Sequence, residues 1–208
     1  MQKTFVILLM SAVSLLTLSC SGSRMIRTDV DQARVGDPIK NVLVIAVFDD
    51  EDVRETYETH FIDHLNTSGV KAWSTTHVLP VSVGRKLDKA EIVTLAEHYG
   101  CDTVAITHLV GQTESEAFSR AGRLSQIHHK GYYQYYTDVW DDVHAPTVFV
   151  DHIQVFLETR LYDVKTQRLI WSGESRARDP KTMGQAIGQV VSLVMDELKK
   201  KRLLPISK

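Results

Sequence analysis

Val42–Phe48 reads VLVIAVF, an unbroken apolar run of strand length, which predicts a central strand covered on both faces. The acidic stretch Asp49–Asp52 follows, suited to the start of a helix. Val53, Tyr57, Phe61 and Leu65 then recur every fourth position, with Ile62 beside them, and define one helix face. Gly69 is placed to stop that helix, and Val70–Ser74 reads as a short strand. The next helix carries its own start signal. Asp88 and Glu91 have capping-box spacing, and Leu87 and Ile92 have the spacing of a hydrophobic staple. Its buried face is Ile92, Leu95, Ala96 and Tyr99, and Gly100 ends it. Thr103–Val110 is a further internal strand. Strand, helix, strand, helix, strand predicts parallel strands joined by right-handed crossovers.

The rhythm breaks over 111–146, which is polar at first and then reads GYYQYYTDVW from Gly131 to Trp140. Four of the chain's seven tyrosines lie there. A structureless loop of this length is uncommon in a compact domain. A folded-over hairpin, a disordered insert and a recognition surface all fit, and so does a loop packing its aromatics onto the sheet. Tyrosine gives large contact area at low entropic cost, so Tyr132, Tyr133, Tyr135, Tyr136 and Trp140 are the candidate interaction surface. Strand alternation resumes at Val148–Tyr162, with Ile153, Val155, Leu157, Thr159 and Leu161 on one side and Gln154, Phe156, Glu158 and Arg160 on the other. That pattern predicts a half-exposed antiparallel strand. Leu169–Ser175 alternates in turn and predicts the second arm of a hairpin. Asp179-Pro180 is expected to open a final helix, with Met183, Ile187, Val190, Val191, Val194 and Leu198 as its buried stripe. Lys199–Arg202 at its end complements the helix dipole. The expected fold class is therefore α/β: a single domain of two or three layers on a mixed sheet. An early parallel βαβαβ segment leads to an antiparallel hairpin and a C-terminal helix.

The N-terminus changes the setting. Met1–Cys20 has Lys3, then the apolar core Phe5–Leu18, too short for a membrane span of about 20 apolar residues. Thr17-Leu18-Ser19-Cys20 resembles a bacterial lipobox, although the usual leucine three places before the cysteine stands one place early, at Leu16. The resemblance implies acylation of Cys20 after removal of residues 1–19, and Ser21 in place of Asp implies sorting to the outer membrane. Residues 20–40 read as a lipidated N-terminus and tether, 41–204 as the domain with its insert at 111–146, and 205–208 as a tail.

Composition narrows the function classes. The chain of 208 residues is 43% apolar and 24% charged, which are globular values. A net charge of −2 argues against a general nucleic-acid binder. Two cysteines, Cys20 and Cys101, exclude a disulfide-dense scaffold and a four-cysteine metal site, and Cys101 reads as a buried structural thiol. No phosphate loop, dinucleotide fingerprint, zincin motif or nucleophile elbow is present, so no catalytic residue and no cofactor is assigned. His60 and His64, four apart on one helix, are weak metal candidates that lack further ligands. The adjacent pair His128-His129 lies in the insert and reads as interaction or solvent exposure over catalysis; the acidic cluster Asp49–Asp52 follows a strand and could bind a divalent cation, but a solvated helix cap is the more economical reading.

The segment FLETRLYDVKTQRLIWSGESRARDP, Phe156–Pro180, together with Val42–Phe48, Cys101–Leu109 and the tyrosine-bearing insert, resembles bacterial outer-membrane lipoproteins of largely unassigned function. Their soluble domains look like the TolB N-terminal domain and the penicillin-binding-protein activator lipoproteins. The resemblance implies a membrane-anchored, non-catalytic interaction or accessory protein of the periplasm. Outer-membrane lipid, reached through Cys20, and an envelope protein are its expected partners. A small-ligand or metal sensor and an activator of a cell-wall synthase are the alternatives.

Overall fold

The computed structural model describes residues 22–79, 85–111, 131–144, 154–178 and 180–205. Six strands form one mixed sheet in the order β1-β6-β5-β4-β2-β3. They are β1 (Arg24–Val30), β2 (Asn41–Val47), β3 (Lys71–Ser74), β4 (Thr103–Gly111), β5 (Gln154–Asp163) and β6 (Leu169–Arg178). β2 is parallel to β3 and β4, whereas β4, β5, β6 and β1 follow one another antiparallel. The helices are α1 (Glu51–Thr67), the single turn α2 (Thr75–Val78), α3 (Lys89–His98), α4 (Tyr132–Val143) and α5 (Met183–Lys200).

The apolar run of β2 is covered on both faces because its alternate residues enter two different cores. Val42, Val44 and Ala46 join Tyr57, Phe61 and Leu65 of α1 and the Val190–Leu198 stripe of α5. Leu43, Ile45 and Val47 join Ile92, Leu95 and Ala96 of α3 and the apolar face of α4. The architecture is thus three layers, helices on both sides of the sheet. Local start and stop signals behave as their chemistry dictates. Both arms of the capping box between Asp88 and Glu91 are formed, and Asp50 caps α1 by accepting from Val53 N at 3.1 Å. Gly69 and Gly100, at φ of 80° and 64°, take the left-handed conformation that ends their helices. In the β5–β6 turn, Thr166 donates from backbone and hydroxyl to Asp163 Oδ1 at 2.7 and 2.8 Å.

Four expectations are corrected. Residues 24–30 are not tether. They form the edge strand β1, paired with β6 from Arg24↔Arg176 to Val30↔Trp171. The insert contributes α4, whose Tyr132, Tyr135, Tyr136, Val139, Trp140 and Val143 are all buried. β5 is not half-exposed: Phe156 to Tyr162 is buried throughout, because α4 covers the face expected to meet solvent. Finally, α5 starts at Met183 with Thr182 as its cap, its side chain accepting from Gln185 N, and Met183 is 50% exposed instead of buried.

Candidate functional site

Among the described residues, a polar cluster and a cavity stand on opposite faces of the sheet, near the carboxyl ends of β2 and β4.

The first is a buried polar cluster beneath α4. His108 on β4 and Glu158 and Arg160 on β5 point to the same face, and Tyr135 descends on them from the helix. Arg160 donates through Nε and Nη2 to Glu158 Oε1 at 3.0 and 2.9 Å. The Tyr135 hydroxyl donates to Glu158 Oε2 at 3.0 Å and lies 3.2 Å from His108 Nδ1. The Arg160 guanidinium also sits 4.3 Å from the centre of the Tyr135 ring, a cation–π contact. Burial works to raise the Glu158 carboxyl, but the charges of Arg160 and His108 and the bonds from Arg160 and Tyr135 overcome it and hold it below its usual value. Burial, seconded by the Glu158 charge, pushes the Tyr135 phenol well above 10. His, Tyr and Glu in contact are the ingredients of acid–base catalysis. Here they bond to one another: Tyr135 is fully buried and Arg160 is 1% exposed. The cluster fixes how α4 docks on the sheet.

The second feature is a cavity of about 270 Å³ on the opposite face. Leu109 and Leu157 of the sheet floor it, Val53 of α1 and Ile187 of α5 wall it, and Met183, Asp49 and Asp50 mark its rim. It lies just past the carboxyl end of β2, where open α/β sheets commonly place ligands. Its lining is apolar and its only carboxylates are at the rim. Asp50 is committed to the α1 cap, and Glu51 to Arg54 at 2.6 Å, so the acidic stretch serves the helix start as its position suggested.

The sequence-derived candidates scatter across these features. Tyr132, Tyr135 and Tyr136 are at most 1% exposed and Trp140 is 8% exposed, so these four are core and not accessible surface; Tyr133 alone is half-buried. The Tyr136 hydroxyl accepts from Leu87 N at 2.7 Å, tying α4 to the start of α3, and burial raises it to about 12. His60 is half-buried and His64 exposed on α1, and among the described residues no group of three or more His, Cys, Asp or Glu could hold a metal. Cys101 is buried and its thiol is pushed up to about 12 by burial and then by Asp102. Cys20 and His128-His129 lie outside the described residues. The cavity was missed by sequence reasoning because its walls are ordinary core residues of distant elements. Arg160 and Glu158 were seen and assigned to the wrong environment.

No family model matches the chain, and no curated protein matches it. Among solved structures it is similar to the PelC dodecamer from Paraburkholderia phytofirmans, at 12% identity and a TM-score of 0.47, covering 86% of this chain and 97% of that one. It is similar to lipoprotein GNA1162 from Neisseria meningitidis at 15% identity and a TM-score of 0.41, covering 78% and 97%. A PDZ domain protein from Parabacteroides distasonis follows at 13% and 0.39, where this chain spans 40% of the other's length. These are likenesses of coarse outline, and no activity or partner is transferred from them. None of the three is a TolB domain or a penicillin-binding-protein activator by name.

Proposed function

We propose that the chain is an acylated lipoprotein of the bacterial envelope whose α/β domain is held directly against the bilayer and acts there as a non-catalytic accessory. The observation that carries this is the position of Arg24. A leader that ends in a lipobox-like Cys20 is followed by only Ser21, Gly22 and Ser23 before β1 begins. Four extended steps from Cys20 to Arg24 span at most about 14 Å. Several acyl chains, at about 0.8 kcal/mol per buried CH₂, are a durable anchor. A domain so tethered works at the membrane surface and does not reach across the periplasm, which disfavours the cell-wall-synthase version.

What supports the non-catalytic reading is the pairing of Tyr135, Glu158 and Arg160 with one another in the interior. The test is metabolic labelling of the full chain with an alkyne fatty acid in a Gram-negative host, followed by membrane fractionation. Wild type is expected to take up label and float with outer membranes. Cys20→Ala is expected to lose the label and to leave the outer-membrane fraction. Equal labelling of the two chains would refute the reading. A small-ligand role is favoured by one observation only, the cavity beside Phe48 and Met183.

A further inference from the structure

We infer that this cavity is the seat of an aliphatic chain, and that its occupant is one of the acyl chains on Cys20. The inference rests on the acylation proposed above and is argued from where the chain enters the domain. Ser23 is fixed on the cavity's own face of the sheet: its hydroxyl donates to Gln189 Oε1 of α5 at 2.5 Å and accepts from Arg178 N at 3.1 Å. Gln189 is three residues beyond Ala186, which lines the cavity, so the two are neighbours on the surface of α5. On the sheet, Leu157 on the cavity floor pairs with Ser175 of β6, and Ser175 pairs with Met25 of β1. The floor is thus level with the first residues of β1 and two strands away, about 10 Å. Cys20 is three residues upstream of Ser23, so its sulfur has the reach to deliver a chain to the rim.

The chemistry of the cavity selects that occupant. Leu109, Leu157 and Ile187 offer an apolar slot, with polar groups only at the mouth, beside the half-exposed Met183. At about 270 Å³ it lies just under the range of ordinary small-molecule pockets, roughly 300–1,000 Å³, and has room for a length of aliphatic chain. An acyl chain seated there would fix the orientation of the domain on the membrane, which a three-residue link alone does not.

The experiment uses the full chain, labelled in cells with a fatty acid bearing both a diazirine and an alkyne, then irradiated and mapped by mass spectrometry. Expected are label on Cys20 and, on irradiation, crosslinks to Met183, Ile187 or Leu157. Ile187→Trp, which fills the slot, and Met183→Trp, which blocks the mouth from the surface without entering the core, should each reduce those crosslinks at least fivefold while label uptake stays unchanged. Label on Cys20 with crosslinks confined to bilayer lipid or to other proteins overturns the seating and leaves the anchor intact. Absence of label on Cys20 overturns both.

Discussion

Glu58 offers the sharpest quantitative test of the fold. It lies on α1, is fully buried, and completes the ladder of β2 beyond the point where β3 stops. β3 pairs with β2 only as far as Val44↔Ser74, so the next outward N–H, that of Ala46, has no strand partner. Glu58 Oε1 accepts it at 2.8 Å and also accepts from the Thr75 hydroxyl at 2.8 Å. Glu58 Oε2 accepts from Ser74 Oγ at 2.5 Å and from Thr76 N and Thr76 Oγ1, both at 3.0 Å. Each carboxylate oxygen therefore takes one backbone N–H, and neither orientation of an amide can serve both. In Glu58→Gln the amide nitrogen should turn toward Thr76, whose N–H keeps Ser74 Oγ at 3.1 Å as a second acceptor, while the hydroxyls rotate to accept. The loss is then the charge assistance of the bonds plus one imperfect donor, about 1.5–2.5 kcal/mol. Glu58→Ala removes every acceptor and strands Ala46 N–H in the core, at about 4 kcal/mol. Urea unfolding checks both: with a slope of about 1–3 kcal/mol per M, Glu58→Gln should lower the midpoint by roughly 1 M and Glu58→Ala by about twice that. A Glu58→Gln midpoint unchanged from wild type, or an alanine variant no worse than the glutamine one, would refute the ladder-completing role.

Three further outcomes follow from the same contacts. Because Glu158 is held below its usual carboxyl value in the folded state, its contribution is present above the unfolded value of about 4.3 and is lost as pH falls through the folded one. Urea midpoints should therefore drop below about pH 4, and Glu158→Gln, less stable at pH 7, should show a shallower drop; parallel pH profiles would contradict this. A methyl at Gly173 would collide with the Trp171 indole and Met25 Cε, so Gly173→Ala should destabilise by about 1–3 kcal/mol in the same assay, and a neutral result would show that β1 does not pack as described. Cys101, buried and raised to about 12, should ignore an aromatic disulfide reagent at pH 8 in the native protein and react fully in urea; rapid native reaction would place it at the surface.

How much of this was legible in the sequence depends on how local the signal was. The capping box at Asp88, the glycine stops and the Asp163–Thr166 turn are decided within a few residues, and the structure forms each of them. The mixed α/β class followed from the apolar period and held. α4 was missed although Tyr132, Tyr135, Tyr136, Val139, Trp140 and Val143 follow the helical i, i+3, i+4, i+7 spacing. Tyrosine's strand preference and tendency to bind at surfaces drew attention from that period, and Gly131 gives the helix no side-chain cap to announce it. Once α4 was missing, Glu158 and Arg160 had to be placed in water, since nothing in β5 alone says that a tyrosine from another element will satisfy them. β1 was missed because RMIRTDV is largely exposed and lies on an edge, where apolar alternation is weak. The cavity is wholly tertiary: its lining converges from α1, β4, β5 and α5, and no window of sequence contains it.

The central claim, that the domain sits on the bilayer by its β1 entry, is tested most directly by distance. The β5–β6 hairpin is ten residues per arm, so Lys181, just past its open end, and Lys165, in its turn, differ in height by roughly 30 Å. With Cys101 buried and Cys20 acylated as proposed, single cysteines introduced by Lys181→Cys or Lys165→Cys accept a donor dye selectively. The full chain, purified from membranes with its proposed acyl groups, is then placed in vesicles carrying an acceptor on the lipid headgroups. The account predicts strong energy transfer from position 181 and weak transfer from position 165. Equal transfer from both positions, or stronger transfer from 165, would contradict it.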